Sequence, residues 1–334
     1  MKPGILVTRA IFPDVLERLR ETFDVVDNQA DVVYPPEALA ERLRGRAGLL
    51  ANAADAINAD LIASVPTLRA VANMAVGYNN LDLPAMTRAG ILATNTPDIL
   101  TETTADFGWA LLMAAARRVA ESERWLRAGH WQRWTYDMFL GAEVYGSTLG
   151  ILGMGRIGQA LARRASGFSM RVIYHNRSRL APEIEQDTRA TYVSKDELLA
   201  QADHLVLVLP YSRASHHAIG AAELARMKPT ATLVNLARGG IVDDAALAQA
   251  LAEQRLFAAG LDVYEGEPEV HPALLEAEHV ALTPHIASAT HGTRLGMANL
   301  AADNLIAALG FGPRAGQPPN LLNPEALSVR RASA

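Results

Sequence analysis

The run Gly153-Met154-Gly155-Arg156-Ile157-Gly158 follows an apolar stretch, Leu149–Leu152, and precedes a helical pattern over Gln159–Arg164. A strand that turns into a helix through glycines at this spacing suits one task above others, which is holding a dinucleotide. Gly153 permits the tight turn, Gly155 lets the main chain approach a pyrophosphate, and Gly158 allows the helix to pack closely on the strand. The helix N-terminus then offers N–H groups to the phosphates. The same six-residue motif occurs by chance in turns that bind nothing. The flanking strand and helix make Gly153–Gly158, with Met154, Arg156 and Ile157 between the glycines, the expected phosphate loop here.

The surrounding pattern agrees. From Thr148 to Leu282, apolar runs at Leu149–Leu152, Val172–His175, Leu205–Leu209, Thr232–Leu236, Ala259–Val263 and Val280–Leu282 read as six strands separated by helical segments. That is the pattern of a doubly wound domain. Before it, strands at Ile5–Thr8, Val25–Val26, Gly48–Ala51, Ala70–Ala72 and Ile91–Thr94 alternate with helices at Pro13–Phe23, Pro36–Leu43, Asp60–Val65 and Pro84–Ala89. This predicts a second parallel α/β sheet. One long helical run over Thr103–Trp125 suits a bridge between the two series. Another is predicted over Thr290–Leu309, then a Gly/Pro-rich loop through Gly310–Pro319, and a tail, Asn320–Ala334, without a strong pattern.

Length and composition narrow the partners. A chain of 334 residues, 50% hydrophobic and 20% charged, is globular and suits two domains. A net charge of −5 without a basic tail or cluster disfavours nucleic acid and anionic membrane as partners. The absence of cysteine excludes disulfides, thiol nucleophiles and thiolate metal sites. No residue cluster recognisable in the sequence requires a metal. The apolar run after Met1-Lys2-Pro3-Gly4 is too short for a signal peptide, and no stretch approaches the ~20 residues of a membrane span, so a cytoplasmic protein is expected.

The end of the second strand selects the cofactor. Enzymes that use NAD usually place an acid there for the ribose 2′-hydroxyl. Here the strand runs into Asn176-Arg177-Ser178-Arg179, without an acid. A carboxylate would repel a 2′-phosphate, whereas Arg177 offers a planar fork and Ser178 a hydroxyl, with Arg179 in support. NADP(H) is therefore the expected cofactor and NAD(H) the alternative. The same residues also read as a solvated basic loop.

Arg238, in Asn235-Leu236-Ala237-Arg238-Gly239-Gly240, lies just past a buried strand between small residues, which suits an anion anchor better than a surface charge. Glu267 sits in Asp262-Val263-Tyr264-Glu265-Gly266-Glu267-Pro268 and His285 in Thr283-Pro284-His285-Ile286-Ala287-Ser288. Taken alone, a single His among nine is more often structural than catalytic.

Together these segments resemble the D-isomer-specific 2-hydroxyacid dehydrogenases, over nearly the whole chain. The order Arg, Glu, His at separations of 29 and 18 residues matches that family. The resemblance implies that Arg238 binds the carboxylate and carbonyl of a 2-oxo acid. It implies that His285 is the general acid and base, with Glu267 beside it favouring the imidazolium. Formate dehydrogenase relatives carry Gln in place of that acid, so Glu267 argues against that branch. Val76-Gly77-Tyr78-Asn79-Asn80 resembles the loop of glyoxylate and hydroxypyruvate reductases, where the N–H groups of Val76 and Gly77, next to Leu100, would hold the substrate carboxylate. The resemblance also places Thr104 near the nicotinamide, Asp262 at its carboxamide, and Leu209 and Pro210 on the adenosine side, and counts Ala237, His285 and Ser288 among the cofactor-binding residues. It further implies a Rossmann domain over 100–287 inserted into a flavodoxin-like substrate domain of 1–99 and 288–334, with a cleft between them. A homodimer is expected, and the aromatic stretch Trp125, Trp131, Trp134, Tyr136, Phe139 suits a contact arm or an internal core.

The resemblance thus implies reduction of glyoxylate and hydroxypyruvate. Met138, where animal hydroxypyruvate reductases carry a bulky aromatic, keeps a longer substrate such as 2-ketogluconate in play. Phosphite oxidation uses the same three residue types. A binding module of the dinucleotide-gated corepressor kind is the alternative from a different class.

Overall fold

A computed structural model describes residues 2–333. The chain divides into two compact units, Met1–Leu100 with Thr290–Ala334, and Thr101–Ala289.

The first unit opens with β1 (Gly4–Val7), α1 (Pro13–Thr22), β2 (Asp24–Val26), α2 (Pro36–Leu43), β3 (Gly48–Ala51), α3 (Ala59–Ser64), β4 (Ala70–Asn73), α4 (Leu83–Arg88) and β5 (Leu92–Thr94). Proline starts α1 and α2, where its fixed φ fits and its missing N–H costs nothing. Asn58 and Asp82 cap α3 and α4 by accepting the N–H of Leu61 and Ala85. All strands pair in parallel in the order β2-β1-β3-β4-β5, the flavodoxin-like order. The period-2 alternation sends Ile5 and Val7 into one apolar cluster and Leu6 into another, so both faces of the sheet are covered.

The second unit contains α5 (Thr101–Ala116), α6 (Val119–Arg127), β6 (Thr148–Leu152), α7 (Arg156–Ala165), β7 (Arg171–His175), α8 (Pro182–Thr188), β8 (Ala190–Tyr192), α9 (Lys195–Gln201), β9 (His204–Leu207), α10 (Ala221–Leu224), β10 (Thr232–Asn235), α11 (Asp244–Ala252), β11 (Ala258–Leu261), α12 (Pro272–Glu276) and β12 (Val280–Leu282). Its parallel sheet runs β12-β11-β10-β9-β6-β7-β8. This is the six-stranded doubly wound order with one strand added beyond β11, and the order reverses between β6 and β9. In such sheets ligands bind outside the carboxyl ends of the strands at that reversal. The chain then returns to the first unit as α13 (His291–Ala308) and α14 (Ala326–Ser333). Among the described residues no helix is long and apolar enough to cross a membrane.

Three expectations are corrected. The run 103–125 is two helices, not one: Ala142 N–H donates to Ala116 O at 2.8 Å, taking the carbonyl that would have continued α5, and Arg118 turns left-handed at φ +54°. The second series has a seventh strand, β8, whose three residues carry too short a pattern to stand out. The tail is ordered in part: Asn323 donates to Ile91 O and accepts from Ala93 N–H, and α14 follows with Ala326 fully buried.

Candidate active site

At the end of β6, Gly153 adopts φ +104° and lies so close to β9 that a Cβ there would stand 2.7 Å from Leu209 N. A Cβ on Gly158 would stand 2.5 Å from Gly153 O, so the helix seats tightly on the strand. Gly155 differs, with nothing within 4 Å of where its Cβ would sit. No side chain caps α7 from Gly155. The loop is therefore closed on the protein side and open on the other, which fits a pyrophosphate approaching the main chain. Met154 contributes main chain only, since its side chain is buried in the core.

The four polar residues after β7 separate into different tasks. Asn176 turns inward and accepts Met154 N–H at 2.7 Å, so it braces the glycine loop. Arg179 forms a two-pronged pair with Glu185, at 2.9 and 2.8 Å, and Glu185 also accepts from the Tyr174 hydroxyl. Those bonds hold the Glu185 carboxyl below the usual carboxylate range, Arg179 contributing most. Arg177 and Ser178 are exposed, and Arg177 makes no ion pair among the described residues.

Arg238, Glu267 and His285 come from three different strand ends. Arg238 follows β10 and is packed closely by protein. Gly239 after it is obligatory, because a Cβ would fall 1.6 Å from Tyr264 O. The guanidinium donates to Ala237 O at 2.8 Å and makes no ion pair among the described residues. Burial draws its pKa down, opposed by the charge of Glu267 nearby. Glu267 accepts Tyr264 N–H at 3.0 Å through Oε1, and its Oε2 lies 2.7 Å from His285 Nδ1. Burial pushes the Glu267 carboxyl up, but the bond and charge of His285, the Tyr264 N–H and the charge of Arg238 outweigh it and hold the pKa below its ordinary value.

His285 adopts φ +53°, uncommon for a residue with a Cβ. Asp262, fully buried at the end of β11, over-determines that conformation. Its main-chain carbonyl accepts His285 N–H, and its carboxylate accepts from Thr283 Oγ1, Ile286 N and Ala287 N at 2.7–2.8 Å. With Nδ1 held by Glu267, Nε2 of His285 is the ring atom left for a ligand.

In the first unit, the loop after β4 carries Val76 and Gly77. Its carbonyls are occupied: Asn95 Nδ2 donates to Val76 O at 2.8 Å and Asn73 Nδ2 to Gly77 O at 3.0 Å. Asn80 ties the loop down by donating to Asn52 O and Asp55 O, each at 3.0 Å. The N–H groups of Val76 and Gly77 have no hydrogen-bond partner among the described residues. Sequence reasoning missed Asn73 and Asn95. The available signal was an amide at the end of a buried strand or just past one.

The remaining expected residues are placed as follows. Leu100 is half-buried in the first unit; Thr104 is buried in the first turn of α5; Ala237 is buried; Leu209 is half-buried against Gly153; Pro210 is exposed; Ser288 is half-buried three residues past His285. The aromatic stretch divides. Trp125 packs edge-on against Phe139 at 5.3 Å, whereas Trp131, Trp134 and Tyr136 are exposed. Met138 faces its own unit, beside Met113 and Arg117.

A doubly wound sheet with an open glycine loop fits a dinucleotide, and the same unit carries the hydrogen-bonded His285–Glu267 pair. The chain is an NAD(P)H-dependent oxidoreductase. Residues 109–287 match the family model of the D-isomer specific 2-hydroxyacid dehydrogenase, NAD binding domain. The chain is 46% identical to the glyoxylate reductase of Thermococcus onnurineus, over 99% of each chain. It is 47% identical to that of Aeropyrum pernix, over 99% of this chain and 98% of the other. Among solved structures, the NADPH-dependent glyoxylate/hydroxypyruvate reductase of Sinorhizobium meliloti, in complex with NADP and malonate, superimposes with a TM-score of 0.86 at 34% identity, over 98% of each chain. The protein belongs to the D-isomer specific 2-hydroxyacid dehydrogenases.

Proposed function

We propose that this enzyme uses NADPH to reduce small 2-oxo acids, glyoxylate and hydroxypyruvate, to glycolate and D-glycerate. The observation that carries the reading is the 2.7 Å pairing of His285 Nδ1 with Glu267, which leaves Nε2 as the proton donor. The cofactor when bound supplies hydride to the carbonyl carbon. Arg238 holds the substrate carboxylate and polarises the carbonyl, and Val76 and Gly77 N–H groups bind the carboxylate beside Leu100. His285 gives its proton to the oxygen as negative charge develops there, and the Glu267 anion stabilises the donor before transfer. Thr104, Ala237, Asp262 and Ser288 are assigned to the nicotinamide half, and Leu209 and Pro210 to the adenosine half. The glyoxylate reductase relatives support the substrate class.

The preference for NADPH rests on Arg177, which makes no ion pair among the described residues, while Arg179 is neutralised by Glu185. We also propose a homodimer, supported by Trp131, Trp134 and Tyr136, which stand 56–88% exposed on one short segment.

Initial rates with NADPH and NADH on glyoxylate, hydroxypyruvate and 2-ketogluconate test the reading. Fast NADPH turnover on the two small acids is expected. Preference for 2-ketogluconate, or no turnover, overturns the substrate assignment. In the same assay Arg177→Ala should weaken NADPH relative to NADH by about 1–3 kcal/mol, and Arg179→Ala should leave that ratio unchanged. Equal weakening of both cofactors by Arg177→Ala removes the 2′-phosphate assignment.

A further inference from the structure

We propose that His216, His217 and Glu265 form a binding site for a transition-metal dication of the Zn2+ or Co2+ type. The three side chains lie on the second unit, in the segment after β9 and in the loop between β11 and α12 that also carries Glu267. Successive residues of an extended chain point to opposite sides, yet the His216 and His217 rings stack at 3.9 Å and 22°. They do so because His217 is left-handed, at φ +48°. That conformation is disfavoured for a residue with a Cβ and persists only where the surroundings impose it. Here His217 N–H donates to Gly240 O at 2.7 Å and Ile219 N–H to Ile241 O at 3.1 Å.

Each ring has a polar neighbour on its far nitrogen. The Tyr211 hydroxyl meets His216 Nδ1 at 3.2 Å, and Asp243 Oδ2 lies 3.8 Å from His217 Nδ1. Asp243 is itself fixed as the N-cap of α11, accepting Ala246 N–H. A partner on the far nitrogen sets the orientation and basicity of a metal-binding imidazole. Both Nε2 atoms then face one carboxylate: His217 Nε2 lies 2.9 Å from Glu265 Oε2, and His216 Nε2 lies 4.0 Å from Glu265 Oε1. Ligand atoms about 2.0–2.1 Å from a tetrahedral zinc are about 3.3 Å from each other, and the two measured spacings straddle that value. Gly240 leaves the room required, since a Cβ there would stand 3.3 Å from His216 Nδ1 and 3.2 Å from Tyr211 Cε2.

Two imidazoles and one carboxylate select zinc-like ions over magnesium or calcium, which take oxygen ligands. The side chains are 35–43% exposed, so an ion can enter and a water can complete the coordination. A second cluster, Glu121, Glu278 and His279, has comparable spacing but is already served by a cation. Arg118 grips Glu121 with two bonds of 2.9 and 2.7 Å. An ion bound at Glu265 would tie the His216–His217 segment to the loop that presents Glu267, two residues on.

The test is titration of the chelator-stripped, full-length protein with Co2+ and then Zn2+, following visible absorption, stoichiometry and melting temperature. The chain has no cysteine, so thiolate binding does not interfere. One equivalent of Co2+ with the absorption of a four-coordinate site is expected, displaced by Zn2+, together with a rise in melting temperature. His217→Ala and Glu265→Gln should lose both responses while melting cooperatively without metal, and Glu278→Gln should keep them. No bound ion, or uptake unchanged in His217→Ala and Glu265→Gln, overturns the proposal. NADPH turnover by metal-free His217→Ala is read separately, so failure of the metal site and failure of the reductase reading are distinguishable.

Discussion

The two units offer ligand-ready groups at the carboxyl ends of parallel strands, but they build them from opposite materials. In the second unit the groups are ionisable: Arg238, Glu267 and His285 come from three strand ends, and a buried Asp262 holds the His285 loop in a left-handed conformation. In the first unit they are neutral. Three asparagines occupy the carbonyls of the Val76 loop and its surroundings, and the Val76 and Gly77 N–H groups have no partner among the described residues. On the proposed reading, the ionisable set moves a proton, whereas the amide set would only bind, without the desolvation penalty that a second buried charge would carry. Changes in the two regions should therefore damage different kinetic parameters.

The largest expected effect is at His285. His285→Ala should lower kcat by about a hundredfold or more while NADPH binding survives, because the proposed proton donor is removed. Rates from stopped-flow mixing and affinity from fluorescence titration would separate the two. An alanine variant that reduces glyoxylate at the original rate would remove the charged region from the chemistry.

A smaller and different loss is expected in the amide region. Asn80→Ala leaves Asp55 O without its side-chain donor, leaves Asn52 O with the Asp55 N–H alone, and frees the loop above them. Such unsatisfied groups cost about 1–3 kcal/mol, which should appear as a KM for the oxo acid raised about tenfold or more, with kcat for bound substrate little changed. If thermal stability falls and KM does not, the asparagines serve only the fold and the contrast between the units fails.

The same contrast explains what could be read from the sequence. Glycines at fixed spacing and an arginine between small residues past a strand stand out by residue type, whereas Glu267 and His285 were singled out only through the family resemblance. The amide scaffold was not legible, because asparagine is ordinary at strand ends and turns, and only the fold shows that Asn73 and Asn95 reach the carbonyls of one loop. The separate tasks of Arg177 and Arg179 were equally hidden. Glu185, which neutralises Arg179, lies on the following helix and is marked by no motif. The pairing of His217 with Glu265 spans 48 residues, beyond any local pattern. Among the elements, the break between α5 and α6 depends on Ala142, whose N–H arrives from well down the chain to take a helix carbonyl.

The finest test lies inside the charged region. Glu267 is held below the ordinary carboxylate range, so its anion faces His285 across neutral pH and well into the acidic range. By the sign of that shift, the stability it adds is present above the unfolded carboxylate's titration and is lost as pH falls through the folded one. Reduction requires the donor proton, and an adjacent anion helps to retain it. Glu267→Gln keeps the shape and removes the charge. The alkaline fall of the reduction rate should then begin at lower pH, and oxidation of the hydroxy acid, which needs the base form, should extend to lower pH. Slower turnover in both directions with unmoved profiles would show instead that Glu267 mainly positions the ring, and unmoved profiles at the original rates would show that the 2.7 Å contact has no part in the reaction.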